Sequence, residues 1–199
     1  MIHPFSDGNG RISRVMQSLM LYRGGVDEAQ FVSFEEYLGD HTREYYDVLT
    51  EVGGGQWNPT RDATPWLRFV LTAHFRQART VSRRLWRVSR IAELVDDVVA
   101  TKGLPERSTP AIELAMSGWK VRNPTYRRLA EVSANVASRE LADLVGAGVL
   151  QQEGAKRGSW YRPADQRTKQ LSDLHRRALE LYPKSPNPYV MLAEGKPLP

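Results

Sequence analysis

His3-Pro4-Phe5-Ser6-Asp7-Gly8-Asn9-Gly10-Arg11-Ile12-Ser13-Arg14 places an imidazole, a carboxylate, a Gly-Asn-Gly turn and two guanidinium groups within twelve residues. Gly8 and Gly10 can take positive φ, so successive backbone N–H groups can point into one concavity. Immediately downstream, Ile12, Val15, Met16, Leu19 and Met20 recur at three- and four-residue spacings and Gly24-Gly25 follows, which predicts a helix over about 10–23. The concavity therefore opens a helix, whose N-terminal dipole and free N–H groups favour a phosphate. Arg11 and Arg14, three apart, can reach one side with fork geometry suited to phosphate oxygens. Asp7 beside phosphate suits a bridging Mg²⁺, and histidine, the type of His3, is the usual general base near neutral pH. A Gly-Asn-Gly turn before an amphipathic helix is also a common piece of local structure that needs no ligand.

Outward from this stretch the chain reads mainly as helices. Ser33 and Glu36 have capping-box spacing, and a helix over about 41–52 carries Tyr45, Tyr46 and Leu49 before Gly53-Gly54-Gly55 stops it. Thr64-Pro65 reads as an N-cap with a first-turn proline, and no breaker follows until Gly103. The seam expected on this long helix is Leu67, Val70, Leu71, Phe75, Ala78, Leu85, Val88, Ile91, Leu94, Val95 and Val98. Its arginines at 76, 79, 83, 84, 87 and 90 read as a solvated face. Helices starting at Thr109-Pro110, at Asn123-Pro124 and at Ser133 or Asn135 come next, the last stopping at Gly148. Val149–Gln152 and Ser159–Arg162 then read as two strands around a glycine-containing turn. A final helix is expected at about 165–181, and residues 183–199, with five prolines, read as an extended tail.

Composition narrows the class. The chain has 199 residues, 41% hydrophobic and 26% charged, which excludes disordered and collagen-like types. The longest uncharged apolar runs, such as Trp66-Leu67 and Phe69-Val70-Leu71, are broken by arginine well short of the roughly 20 residues a bilayer crossing needs, so no membrane partner is expected. Cysteine is absent, which excludes disulfides and thiolate metal sites, and with no signal-peptide pattern at the N-terminus a cytoplasmic location is the expectation. The net charge of +5 is unevenly spread: −5 over residues 1–60, +8 over 61–162 and +2 over 163–199. The head and the middle are expected to do different work.

Residues 3–14 match, position for position, the H-P-F-x-D/E-G-N-G-R-x-x-R signature of the Fic (Fido) family of protein adenylyltransferases. Tyr45-Tyr46-Asp47-Val48-Leu49 and Asp62-Ala63-Thr64-Pro65-Trp66-Leu67 resemble the helices that follow the signature in that family, so the resemblance covers about residues 1–100. It implies transfer of AMP from ATP to a Ser, Thr or Tyr hydroxyl of a target protein. On this resemblance His3 is the base and Asp7 holds Mg²⁺. Gly8, Asn9, Gly10 and Arg11 cradle the phosphates, and Arg14 holds the distal one. Tyr45 and Tyr46 match a tyrosine pair near the adenine, and the same pair also fits a core position. Family members carry helices and a β-hairpin flap ahead of the signature, whereas only Met1 and Ile2 precede His3 here. The expectation is the C-terminal part of a Fic domain, inactive as this short chain.

Residues 109–162 resemble a winged helix through Val136-Ala137-Ser138-Arg139-Glu140-Leu141 and Leu144-Val145-Gly146-Ala147-Gly148-Val149-Leu150. On that resemblance Ser133, Asn135, Ser138 and Arg139 would enter a DNA major groove and Lys156 and Arg157 would meet phosphate at the wing. Protein contact or dimerisation is the equal alternative for such a domain. The expected organisation is a Fic part with its connecting helix over 1–101, a winged helix over 102–163, and a helix and proline-rich tail over 164–199. The fold class is mainly α with a small β-hairpin. The expected partners are ATP, a hydroxyl-bearing target protein, DNA and a second copy of the chain in a homodimer. The competing function is a DNA-binding regulator that keeps a non-catalytic Fic remnant.

Overall fold

The computed structural model describes residues 4–26, 33–55, 60–183 and 187–198. Among them the chain is mainly helical, with one two-stranded antiparallel sheet. The helices are α1 (Asn9–Arg23), α2 (Glu35–Asp40), α3 (Thr42–Gly53), α4 (Thr64–Lys102), α5 (Thr109–Met116), α6 (Asn123–Ala130), α7 (Ala134–Gly146), α8 (Asp165–Leu181) and α9 (Pro188–Ala193). The strands are β1 (Leu150–Glu153) and β2 (Trp160–Pro163). Two compact units divide the chain: Met1–Ser82 with Tyr182–Pro199, and Arg83–Leu181.

In the first unit the core is small. Phe34, Tyr37, Leu38 and Ala73 are buried, with Tyr45, Phe69 and Val70 packed against them. α1 adds nothing to this core. Its predicted stripe forms, but Ile12, Val15, Met16, Leu19 and Met20 all stay exposed, and no residue of the helix is buried. Polar contacts with described residues tie it down, among them Arg14 Nε to Glu35 Oε1 at 3.2 Å and Gln17 to His74 at 2.7 Å. Burial beside the Phe34 ring disfavours the charged imidazole of His74 and lowers its pKa.

Three local expectations change. The capping box at Ser33 and Glu36 is not made: α2 starts at Glu35, Ser33 Oγ accepts from the Glu35 N–H, and Glu36 instead takes the Gln77 amide at 2.9 Å. Phe34, 5% exposed, is the anchor, and its burial sets where the helix begins. At α4 Thr64 is the first helical residue rather than the cap: the Ala63 carbonyl accepts from the Leu67 N–H at 3.0 Å, and Asp62 Oδ1 accepts from the Thr64 N–H at 2.8 Å. The Thr64 hydroxyl, together with that backbone bond, holds the Asp62 carboxyl below the usual carboxylate range. Residues 183–199 are not simply extended: Asn187 caps α9 by accepting from the Tyr189 N–H at 2.9 Å, and Pro188 and Met191 are buried.

The seam of α4 holds over only part of its length. Ile91, Val95 and Val98 are buried as expected, but Leu67, Leu71, Leu85 and Val88 are exposed, while Thr72, Ala73, Gln77 and Val81 are buried in their place.

The second unit has the larger core. Ile112, Val121, Tyr126, Leu141, Leu144, Val149 and Leu150 are at most 1% exposed and form one cluster with Ile91, Val95 and Val98. Each large aliphatic side chain so buried contributes about 1.5–3 kcal/mol of transfer free energy. α5, α6 and α7 precede the hairpin, in which Leu150 faces Pro163 and Glu153 faces Trp160. Each strand lies one residue later than its sequence pattern indicated. Val121 bridges antiparallel to Tyr161, with N–H to O distances of 3.2 and 2.7 Å, so the segment before α6 is tied to the sheet.

Buried Glu140 of α7 joins the helices of this unit. It accepts from Arg107 Nε at 3.1 Å, from Arg107 Nη2, and from the Tyr126 hydroxyl at 2.9 Å. The Arg107 guanidinium holds the Glu140 carboxyl below its usual range, and burial together with this bond drives the Tyr126 hydroxyl pKa upward.

Candidate functional site

The loop before α1 is shaped by its own side chains. Gly8, at φ 84°, takes the left-handed conformation that glycine allows without strain. Asn9 closes the loop from both ends: its Nδ2 donates to the Phe5 carbonyl at 2.6 Å, and its Oδ1 accepts from the Phe5 N–H at 3.1 Å. Asp7 Oδ1 accepts from the Gly8 N–H at 2.6 Å and Asp7 Oδ2 from Arg11 Nη2 at 3.2 Å. The Arg11 guanidinium lies against Gly8, and that of Arg14 lies against Gly10. As at any α-helix start, the first-turn N–H groups have no intrahelical acceptor.

This loop is one wall of a cleft of about 940 Å³. Asp7, Gly8, Asn9, Gly10, Arg11 and Arg14 line it together with Tyr45 and Tyr46. The two tyrosines differ. Tyr45 packs edge-on against Tyr46 at 5.1 Å and reaches Trp66 and Phe69, so it serves the core and the cleft at once, while Tyr46 is exposed. The sequence reading missed Ser6, Leu49, Thr50 and the run Gly53–Gly55, which complete the lining. The three consecutive glycines were a visible signal, but they read only as a helix stop. His3 lies outside the described residues.

Several site residues already have partners. The Asn9 side chain is committed to Phe5, so its contribution to a phosphate is through its backbone N–H. Arg11 is paired with Asp7, and Arg14 with Glu35 across 21 residues of sequence. The Asp7–Arg11 pair is almost fully exposed and is worth little by itself. Both groups can therefore turn to a ligand at small cost.

In the second unit, Ser133 is the N-cap of α7, accepting from the Val136 N–H at 3.4 Å. Ser138 is engaged between Asn123 Nδ2 at 2.9 Å and the Ala134 carbonyl at 3.0 Å, which fixes α6 to α7. Asn135 and Arg139 are exposed on α7, and Lys156 is exposed at the hairpin tip with φ 51°. The side chain of Arg157 lies outside the described residues.

The chain has relatives among known proteins, matched over about half of its length or less. It is 31% identical over 105 residues to protein adenylyltransferase Fic of Aedes aegypti, a match covering 53% of this chain and 18% of that protein. Against protein adenylyltransferase Fic of Culex quinquefasciatus it is 33% identical over 94 residues, covering 47% and 16%. These likenesses support a Fic-family relationship. The protein of the same name from Nematostella vectensis is 33% identical over 69 residues, or 35% of this chain and 13% of that one. The chain thus spans under a fifth of the length of each of these Fic relatives. No protein-family model matches it. No helix among the described residues is long and apolar enough to cross a membrane.

Proposed function

We propose that the cleft of the first unit binds ATP and that the chain belongs to the machinery of a protein adenylyltransferase. The observation that carries this reading is the joining of the Asp7–Arg14 loop with Tyr45 and Tyr46 in one cleft. Backbone N–H groups at the start of α1 and the two guanidinium groups meet the polyphosphate, and the exposed Tyr46 ring offers a stacking face for the adenine. His3 accepts the proton of a Ser, Thr or Tyr hydroxyl on a target protein. The hydroxyl oxygen then bonds to the α-phosphorus of ATP, and the bond to pyrophosphate breaks.

Asp7 fits a Mg²⁺ that arrives with the nucleotide. Its carboxylate is exposed at the cleft and, among the described residues, accepts from the Gly8 N–H and Arg11, and Mg²⁺ commonly takes one or two carboxylates plus substrate phosphates. Such a cation supplies charge neutralisation along the phosphates.

The test combines binding with transfer. Titration of the full chain with ATP and Mg²⁺ is expected to show saturable binding that Arg14→Ala weakens at least about tenfold, the loss of one charge-assisted bond. Equal binding by the two proteins overturns the site. With radiolabelled ATP and a lysate, transfer that survives His3→Ala overturns the assignment of the base.

A second reading, supported by the order α5, α6, α7 and hairpin, is a winged helix that binds DNA. Residues 83–181 carry 18 Lys and Arg against 12 Asp and Glu. Asn135 and Arg139 would then read base edges while Lys156 and Arg157 meet phosphates. A mobility-shift titration across salt distinguishes it: affinity that does not fall with added salt excludes phosphate contacts.

A further inference from the structure

A second cleft in the first unit, of about 830 Å³, shares no lining residue with the first. Its long wall is α4, where Arg68, Thr72 and Arg76 follow at four-residue steps and so share one helix face. The two arginines stand about 12 Å apart along the axis at 1.5 Å per residue. Each lies against a tyrosine. The Arg76 guanidinium is 6.0 Å from the Tyr37 ring centre and donates to the Tyr37 hydroxyl at 2.9 Å, and the Arg68 guanidinium is 5.7 Å from the Tyr189 ring centre.

Among the described residues no carboxylate forms an ion pair with either guanidinium, though Arg68 acts on the charge of Asp62 from a distance. The Nε of Arg76 is buried without a hydrogen-bond partner. A buried guanidinium donor without an acceptor is costly, and a carboxylate is its geometric complement. Glu44 and Glu194 also line the cleft, and Lys196 Nζ sits 2.7 Å from Glu194.

We propose that this cleft binds an extended acidic peptide segment of a partner protein, with two carboxylates four residues apart meeting Arg76 and Arg68. An extended chain advances about 3.3 Å per residue and turns residues i and i+4 to the same side, so its carboxylates stand about 13 Å apart, matching the arginine spacing. Separate carboxylates suit a wall facing Glu44 and Glu194. A nucleic-acid strand, charged at every nucleotide, would meet both of those acids.

Fluorescence anisotropy with the full chain tests the site. The probe is a labelled Gly/Ser peptide of about 10 residues carrying two glutamates four apart, compared with one carrying adjacent glutamates and one carrying glutamines. The spaced peptide is expected to bind about tenfold more tightly than either control, and Arg68→Gln and Arg76→Gln each to weaken it about tenfold. ATP affinity in Arg68→Gln is expected to stay at the wild-type value, so failure here and failure of the nucleotide site read differently. Equal binding of the three peptides, wild-type peptide affinity in both variants, or displacement of the peptide by an oligothymidylate at equal concentration overturns the proposal. Should Arg76→Gln fail to fold, Arg76→Lys keeps the charge without the fork, and loss of the spacing preference in that variant is the expected result. A preference retained there overturns the role of Arg76.

Discussion

Replacing Glu140 by alanine is expected to open the second unit more readily than any other single polar truncation in it. Glu140, with its side chain 5% exposed, is the acceptor for Arg107 and for the hydroxyl of Tyr126, which is fully buried. Truncation removes a charge-assisted hydrogen bond worth about 1.5–3 kcal/mol and leaves the tyrosine hydroxyl unsatisfied, a further cost of about 1–3 kcal/mol. These losses overlap, because the bond's worth already counts part of the desolvation, so the expected destabilisation is about 3 kcal/mol. Arg107, half exposed, regains water when its partner is lost, so Arg107→Ala is expected to cost less than Glu140→Ala. Tyr126→Phe leaves the Arg107 pair intact and is expected to cost about 1 kcal/mol. Hydrogen exchange read by mass spectrometry on peptides from α6 and α7 reports this unit alone. At 1.36 kcal/mol per decade, Glu140→Ala is expected to speed exchange there roughly 100-fold. A change no larger than that of Tyr126→Phe would refute the reasoning, since Glu140 would then be tolerating its burial rather than satisfying two donors.

The same carboxylate makes stability depend on pH. Because its folded pKa is lowered, its contribution is complete above the unfolded value of about 4.3 and is lost as pH falls through the folded value. Protection of α7 is therefore expected to decline on acidification below about pH 4.3, with a smaller decline in Glu140→Gln, where the acid-linked term is absent.

Asn9→Ala removes both bonds to Phe5, so ATP affinity is expected to fall while the thermal midpoint moves little. Calorimetric binding showing unchanged affinity would mean that the loop is shaped without Asn9. Ser133→Ala removes the cap of α7 and is expected to cost about 1 kcal/mol in urea denaturation, against a few tenths for Ser133→Gly. Gly8→Val places a β-branched residue at φ 84° and is expected to destabilise the loop by about 1–2 kcal/mol, read as faster exchange of the Phe5 and Ile12 amides, which bond to Asn9 Oδ1 and the Gly8 carbonyl.

Much of the site was legible because its chemistry is contiguous. From Asp7 to Arg14 the spacing alone put a carboxylate, a glycine turn and two guanidinium groups at the start of a helix, and they line one cleft. The tyrosine helix is separate in sequence, and only its resemblance to a family pointed to the same place. Glu35 was not legible as the partner of Arg14, since that contact joins different helices. Nor could spacing show that Ser138 is spent on Asn123 while Arg139 beside it stays exposed.

The sequence alone placed α1 and α3 to α8 to within a residue or two, showed which residues share a face, and showed which chemical groups cluster at the start of α1, because periodicity, glycine and proline act within a few residues. Only the tertiary structure decided what covers each face. The stripe at Ile12, Val15, Met16, Leu19 and Met20 and the residues Leu67 and Leu71 remain exposed, while the continuation at Ile91, Val95 and Val98 enters a core. It also decided that Glu140 turns inward and that α9 forms in a segment read as a tail. Burial depends on which distant element arrives at a face. That is a property of packing between helices, and a local pattern carries no information about it.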